Sequence, residues 1–154
     1  MRHCLILLLT LFSMTLAQAD NESVVTPVGY WKTIDDVNGQ PRSIIQISED
    51  ANHALTGKVV KIFPKEGSDQ HKLCVACEGK NHNQPIVGMV ILSGLTSAET
   101  QWENGKIIDT VNGKSYRCIA KPYVDGKRLL VRGYVGLPLL GRSQVWQRVD
   151  QQVI

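Results

Sequence analysis

Short segments rich in β-branched and aromatic residues recur along this chain, and turn-forming residues separate them. No segment shows the apolar periodicity of an amphipathic helix, whereas several alternate apolar and polar residues as half-buried strands do. Asn104-Gly105, inside one segment, and Asp125-Gly126, between two others, are dipeptides typical of hairpin turns. The pattern predicts an all-β fold of about eight strands, over residues 30–34, 43–48, 55–63, 86–92, 100–108, 115–124, 129–135 and 143–149.

Trp31 in the first of these segments and Arg148 in the last frame the predicted strands. A sheet of Ile- and Val-rich strands that closes on itself leaves no exposed edge. The strand spacing fits a meander, a sandwich or a barrel, and of these we favour a single closed or nearly closed antiparallel up-and-down β-barrel over 29–149. Trp31 and Arg148 are expected to be structural and to stack across one barrel end, with a cation–π contribution of roughly 0.5–2 kcal/mol. A Trp31 that faces a ligand is the alternative.

Residues 1–19 have the pattern of an export signal. Two basic residues precede an apolar stretch, and Ala17-Gln18-Ala19 is a cleavage site of the A-x-A type. We expect cleavage near Ala19 and a periplasmic or secreted protein, with an uncleaved anchor as the alternative. The mature chain would then have a flexible arm over 20–28, the barrel, and a tail over 150–154, with no transmembrane segment.

The formal net charge of the chain is +3, and basic and acidic residues alternate along it without forming a basic stripe. This argues against nucleic acid as a partner and, on the same ground, against an anionic membrane. No Gly-rich phosphate loop is present, and no histidine of a predicted strand accompanies a Ser or Cys nucleophile. The sequence therefore favours a non-enzymatic protein.

The segment 64–85 is predicted to be a loop, and loops of this length are often functional. It contains Cys74 and Cys77, and a disulfide is the default expectation in an exported protein. We expect a Cys74–Cys77 disulfide that orders the loop. A bridge from either cysteine to Cys118, a redox pair, a zinc site with a nearby histidine and free thiols are the alternatives. Because Cys-x-x-Cys supplies only two ligands, no metal or cofactor is expected.

Aromatic and basic residues of the later strands are the candidate ligand contacts. Arg132 and Tyr134 alternate on one face of the penultimate strand and, with nearby tryptophans, could line a pocket for an amphipathic or anionic ligand. The alternative is a barrel filled by its own side chains. Asp109 and Gly113 are expected to be structural, because they belong to a stretch with the composition of a tight turn. The predicted ligand contacts are Trp102, Tyr116, Arg132, Tyr134 and Trp146.

Several motifs taken together are specific: Gly29-x-Trp31, Gly57-Lys58-Val59-Val60-Lys61, Cys74-x-x-Cys77, Asn112-Gly113-Lys114-x-Tyr116-x-Cys118, Arg132-Gly133-Tyr134-Val135-Gly136 and Gly141-Arg142-x-Gln144-x-Trp146-x-Arg148. Over 29–149 the chain resembles a bacterial exported family catalogued as domain of unknown function 2147. The resemblance implies a small secreted barrel of the calycin and lipocalin group, in which Trp31 packs across one end and Arg148 lies over it. It implies a fold and no particular activity.

These features together predict an exported binding module. Its expected partner is a small apolar or amphipathic molecule, or another protein of the cell envelope. An envelope enzyme with Asp109, Tyr116 and Arg132 around the barrel mouth is one alternative. A structural envelope-stress protein without a ligand is the other.

Overall fold

A computed structural model describes residues 25–65 and 71–154, apart from the side chain of Val153. Each strand of the fold pairs antiparallel with the next, and the last pairs with the first, so the sheet is a closed barrel. This confirms the predicted all-β, up-and-down barrel. The eight strands are β1 Gly29–Ile34, β2 Pro41–Glu49, β3 Leu55–Ile62, β4 Val90–Ser97, β5 Trp102–Ile108, β6 Ser115–Pro122, β7 Arg128–Tyr134 and β8 Arg142–Val149.

Helical structure in the described ranges consists of 3-10 turns over Gly79–Asn81, Pro138–Leu140 and Gln151–Val153. Across those same residues, no helix has the length and apolar character needed to cross a membrane. The predicted signal over 1–19 lies outside the described residues. The first part of the predicted arm, 20–24, and the stretch 66–70 of the predicted loop also lie outside them.

Alternation along each strand directs one set of side chains into the barrel. On β3, Val59 and Gly57 face inward and have Ile45 and Ile47 of β2 as Cα partners. These isoleucines belong to a continuous core in which the side chains are almost completely buried. Side chains thus fill the interior, as they do in many small eight-stranded barrels. Other large members of this core are Trp31, Leu55, Leu92, Leu95, Leu129 and Trp146.

The hairpin predicted at Asn104-Gly105 is wrong, because β5 runs through this dipeptide without a reversal. Asn104 has a φ of 64°, and its side-chain amide donates a hydrogen bond to Thr96 Oγ1 on β4 at 3.0 Å. The pairing of β5 with β6 shifts register between Trp102 and Gly105. A single residue with positive φ makes a bulge, whereas the favoured Asn-Gly hairpin turn requires positive φ at both residues.

The strand predicted over 86–92 begins later, at Val90, and runs to Ser97. Ile86 and Met89 are buried within the loop that precedes it. Gly88, with a φ of 94°, turns the chain there, and its N–H donates to the carbonyl of Val59 at 2.7 Å. The apolar composition of the start of this segment therefore reflects burial rather than strand pairing.

Trp31 closes one end of the barrel, which we call the closed end. Its side chain is fully buried, and its indole N–H donates to the carbonyl oxygen of Pro27 at 2.6 Å. Arg148 is its Cα partner on β8, and the guanidinium carbon lies 4.2 Å from the centroid of the indole ring. At this distance the cation lies within the range of a cation–π interaction with the ring.

Arg148 also connects the chain before β1 to the barrel. Its guanidinium donates to the carbonyl oxygens of Thr26 at 2.8 Å, Val28 at 2.9 Å and Gly126 at 2.5 Å. Desolvation lowers the pKa of Arg148, yet an arginine keeps its proton in proteins. These bonds hold residues 26–28, which belong to the predicted arm, against the closed end.

The connections β1–β2, β3–β4, β5–β6 and β7–β8 lie at the other end, which we call the mouth. Residues 71–89 of the β3–β4 connection form what we call the cysteine loop. Cys74 and Cys77 of this loop form a disulfide, which confirms the pairing expected from the sequence. Both cysteines, together with Ile86 and Met89, belong to the same buried core as the barrel interior. The loop therefore covers the mouth.

Candidate functional site

The cysteine loop packs against the β5–β6 turn at Gly113. This glycine has a φ of 74°, and a Cβ placed on it would overlap the carbonyl oxygen of Ala76 in the loop. Asp109 shapes the turn, because its carboxylate accepts the N–H of Val111 at 2.8 Å. The loop and the turn consequently form one continuous surface at the mouth.

Two adjoining cavities, both open to solvent, flank this surface, with volumes of about 430 and 620 Å³. Asn81 of the cysteine loop and Ile108 at the end of β5 line both of them. The remaining lining residues of the first cavity are Cys77, Glu78, Asn112, Gly113, Lys114, Ser115, Tyr116 and Val135. Those of the second are Lys80, Gln84, Pro85, Val87, Gly88, Met89, Val90 and Ser93.

A row of polar contacts follows β8 from the core to the mouth. The indole N–H of Trp146 donates to Gln144 Oε1 at 3.2 Å, and Gln144 Nε2 donates to Asp36 Oδ2 at 3.1 Å. Arg142 donates to the same carboxylate oxygen at 2.7 Å. Because Asp36 belongs to the β1–β2 turn, this row joins the first and last strands at the mouth.

The five predicted ligand contacts do not share one surface. Tyr116 lines the first cavity, and its hydroxyl accepts a hydrogen bond from Asn112 Nδ2 at 3.1 Å. Trp102 and Trp146 have buried core residues as Cα partners, so they lie on the inner face of the sheet. Trp146 is fully buried, and Trp102 is half-buried against the core.

Arg132 and Tyr134 lie on the outer face of β7. The guanidinium of Arg132 donates to two backbone carbonyls of the β7–β8 connection, at 2.6 and 3.0 Å, and to Ser143 Oγ at 2.7 Å. The guanidinium of Arg117 lies 5.4 Å from the centroid of the Tyr134 ring. Strand alternation thus separates this pair from the two inward-facing tryptophans.

Two carboxylates with shifted pKa values cap turns at opposite ends of the barrel. The backbone N–H of Val37 lowers the pKa of Asp35 at the mouth. The backbone N–H of Lys127 lowers the pKa of Asp125 at the closed end. In residues 25–65 and 71–154, no cluster of three or more His, Cys, Asp or Glu side chains is arranged to hold a metal ion.

Cys118 is a free thiol inside the barrel. Its Cα partners on the neighbouring strands are Gly105 and Gly133, which leave room for the sulfur. Burial raises the pKa of this thiol to about 12. The bridge from the cysteine loop to Cys118, which the sequence left open, is not formed, since Cys74 and Cys77 pair with each other.

Alkylation of Cys118 in the folded protein is expected to be very slow at pH 8 and fast once the protein is unfolded. The thiolate is the reactive form, and burial both suppresses it and blocks access. Mass spectrometry of iodoacetamide-treated protein, digested to give the Cys118 peptide, measures the modified fraction. Comparable labelling in native buffer and in guanidinium chloride would contradict this placement of the thiol.

The raised pKa of the Cys118 thiol makes the folding stability depend on pH in alkaline solution. The thiol has an ordinary pKa of 9.0 and a folded-state pKa of about 12, so between these values the unfolded chain binds fewer protons. Stability is therefore complete below pH 9 and falls as the pH rises to about 12, by at most roughly 1.4 kcal/mol per pH unit from this group. A Cys118→Ala variant should lack this component of the decline.

Sequence reasoning missed Asn81 and Ile108, the two residues common to both cavities. The length and turn-rich composition of the cysteine loop did indicate a functional segment. However, Ile108 lies at the end of a strand and Asn81 in a separate connection, so only the folded barrel brings them together. Apart from the loop itself, no local signal in the sequence marks either residue.

Comparisons with known proteins agree with the geometry. The model of a family described as "Uncharacterized protein conserved in bacteria (DUF2147)" matches residues 29–148. Among solved structures, HP1028 from the human pathogen Helicobacter pylori, described as belonging to the lipocalin family, is similar with a TM-score of 0.68. It is 19% identical, and the match covers 82% of this chain and 84% of that chain.

At this level of identity, the likeness to HP1028 shows a shared fold and nothing further. No protein with a curated description matches this sequence. The family model spans the barrel from the first residue of β1 to Arg148 near the end of β8. The chain therefore belongs to the bacterial DUF2147 family and has a lipocalin-like barrel.

Proposed function

We propose that this protein is an exported, non-enzymatic binding module that takes a small amphipathic molecule at the mouth of its barrel. The observation that carries the proposal is the pair of adjoining cavities beside the cysteine loop, of about 430 and 620 Å³. Volumes of a few hundred cubic ångströms are usual for small-molecule sites. The filled interior directs a ligand to the mouth rather than to the barrel axis.

The chemistry of the lining favours a molecule with an apolar body and a polar or charged group. In the second cavity, Val87, Met89 and Ile108 supply an apolar wall, and Lys80 and Gln84 supply polar atoms. The first cavity is more polar and includes Tyr116, whose side chain we propose contacts the ligand. A lining that combines apolar side chains with polar groups suits a ligand that has both kinds of surface.

Fold and location are consistent with this role. Small lipocalin-type barrels are known to hold single small ligands. The pattern of residues 1–19 and the Cys74–Cys77 disulfide support export to an oxidising compartment. The ligand would enter from the solvent side of the cysteine loop, because the Trp31–Arg148 pair closes the other end.

Dansyl-aminoundecanoic acid, a fluorescent molecule with an apolar chain and a carboxylate, is expected to bind with enhanced and blue-shifted emission. Val87→Asp should weaken this binding at least about tenfold, roughly 1.4 kcal/mol, because it places a carboxylate on the apolar wall. The measurement is a fluorescence titration of the protein recovered after export. Native mass spectrometry of the same material tests for a co-purified molecule.

Val124→Asp is the matched control, since Val124 is an exposed valine of the β6–β7 hairpin at the closed end. It should leave the titration unchanged. Binding that both substitutions weaken equally would not involve the mouth cavities. Absence of both probe binding and a co-purified molecule would rule out the ligand-binding role.

A further inference from the structure

The Cys74–Cys77 disulfide links two residues of the cysteine loop, and neither cysteine belongs to a strand of the barrel. The barrel itself is closed by the pairing of its eight strands, and the Trp31–Arg148 pair holds its other end. A covalent bond within one loop is no part of that strand pairing. The disulfide can therefore act on the mouth while the barrel stays as it is.

The four-residue ring that the disulfide closes is the part of the loop that packs against the β5–β6 turn. The sulfur of Cys74 lies 3.6 Å from the carbonyl oxygen of Thr110, and the backbone of Ala76 closely approaches Gly113. Among the described residues, the backbone hydrogen bonds made by residues 73–85 all stay within the loop. Docking of this part of the loop on the turn therefore depends on the shape of the ring.

The end of the cysteine loop is held in a different way. The N–H of Gly88 donates to the carbonyl of Val59 on β3 at 2.7 Å, and the N–H of Val59 donates to the carbonyl of Met89 at 2.9 Å. The loop thus has two parts: residues 73–85 meet the turn through the disulfide ring, and residues 86–89 are bonded to β3 directly. Only the attachment of the first part depends on the disulfide.

Loss of the disulfide weakens that attachment. Both cysteines are buried, and in a closely packed core two thiols need more room than the bonded pair. Opening a ring of four residues also returns chain entropy, which lowers the ratio of docked to undocked loop by about 20-fold. Because Cys77 and Glu78 line the first cavity and Asn81 lines both, undocking removes a wall from each cavity.

We propose that the redox state of Cys74 and Cys77 controls the mouth of the barrel. With the disulfide formed, the cysteine loop docks and completes both cavities; with the disulfide reduced, residues 73–85 leave the β5–β6 turn while the barrel stays folded. This inference gives the regulation of the proposed ligand site and rests on that function. The site would then be complete only in an oxidising compartment, where such disulfides persist.

The reductant in this reaction is a dithiol. Its first thiolate bonds to the sulfur of Cys77, which borders the open first cavity, and Cys74 leaves as a thiolate that takes up a proton. The second thiol of the reductant then displaces the sulfur of Cys77. The protein gains two electrons and two protons, and the dithiol becomes a disulfide. Oxidation by a disulfide donor is the reverse of these steps.

Amide hydrogen exchange of the exported protein, before and after complete reduction with dithiothreitol, tests the proposal. The amides of Cys74 and Asn83, which are bonded within the loop, should exchange about 20-fold faster after reduction, whereas the amide of Gly88 should not change. Circular dichroism should show the same barrel in both states. If the folded protein resists the reductant, unfolding and refolding it in dithiothreitol gives the reduced state, which a thiol assay verifies.

Cys118→Ala is the matched control, because it removes the thiol that does not belong to the disulfide. It should respond to dithiothreitol as the unaltered protein does. Dansyl-aminoundecanoic acid, titrated in both redox states, should bind at least about fivefold more weakly after reduction, because only the docked loop completes the cavities.

Unchanged exchange of Cys74 and Asn83 after complete reduction would overturn the proposal. So would loss of the barrel signal on reduction, or a response that Cys118→Ala abolishes. Equal binding of the probe in both states, with the loop released, would show that the disulfide does not regulate the site. If the probe binds in neither state while exchange still responds to reduction, the proposed ligand function fails and the redox response of the loop stands.

Discussion

Trp31→Ala is expected to lower the free energy of unfolding by about 3–5 kcal/mol, the usual cost of deleting a buried aromatic side chain. The indole is fully buried at the closed end and stacks against the guanidinium of Arg148 at 4.2 Å. Its loss would leave a cavity in the core and would leave the carbonyl of Pro27 without its donor. Because domains have only about 5–15 kcal/mol of stability in total, this variant should lose a large part of it.

Urea unfolding followed by circular dichroism measures the effect, with Trp102→Ala as the matched control. Trp102 also faces the inner side of the sheet but is only half-buried, so the same deletion should cost clearly less. If Trp31→Ala fails to fold, Arg148→Lys keeps the charge but loses the planar fork that reaches three carbonyls. Equal losses in the two tryptophan variants would show that the full burial of Trp31 and its stacking with Arg148 add nothing special to stability.

The closed barrel could be predicted because its evidence is local and repeated. Each strand carries its own β-branched composition, and turn residues mark most of the boundaries. Trp31 and Arg148 lie near opposite ends of the sequence, and a closed up-and-down barrel is the arrangement that makes them neighbours. Asp125-Gly126 does lie in the hairpin between β6 and β7, as expected.

The Asn-Gly dipeptide at Asn104 shows where local evidence fails. The same two residues form a hairpin or a bulge according to what pairs on either side. Here β5 lies between β4 and β6, and both neighbours continue past the dipeptide. The Asn104 amide bond to Thr96 forms only once β4 is in place. That information is tertiary, and no window of the sequence contains it.

The candidate site was less accessible to sequence reasoning than the fold. Arg132 and Tyr134 share a face of β7, as expected, but that face was expected to line a pocket or fill the barrel, whereas it points outward. The sequence did indicate which side of β7 is buried. Leu129 and Val131 alternate along the strand with Leu130 and Arg132, and the side that carries Leu129 and Val131 is the buried one. The cavities themselves arise where the cysteine loop meets the β5–β6 turn, and such a contact between distant segments has no pattern in the sequence.

The contact between the cysteine loop and the β5–β6 turn is expected to contribute strongly to stability. Gly113→Ala is expected to destabilise the protein by about 2–5 kcal/mol and to release the cysteine loop from the β5–β6 turn. The positive φ of 74° costs an alanine roughly 1–2 kcal/mol. The new methyl group would also overlap the backbone of Ala76 and Cys77, and overpacking of this kind adds typically 1–3 kcal/mol. Backbone atoms inside the ring closed by the buried Cys74–Cys77 disulfide have little room to yield.

Gly39→Ala separates the two contributions, because Gly39 has a φ of 71° and a Cβ added to it would meet no atom within 4 Å. It should show the backbone cost alone, about 1–2 kcal/mol. Hydrogen exchange adds a local measurement. The amides of Cys74, Asn83 and Ile86, which are bonded within the cysteine loop, should exchange faster in Gly113→Ala and at the normal rate in Gly39→Ala. Equal destabilisation by the two substitutions, with unchanged exchange in the loop, would mean that the loop is not held at Gly113; the mouth cavities would then lack the wall on which the proposed binding depends.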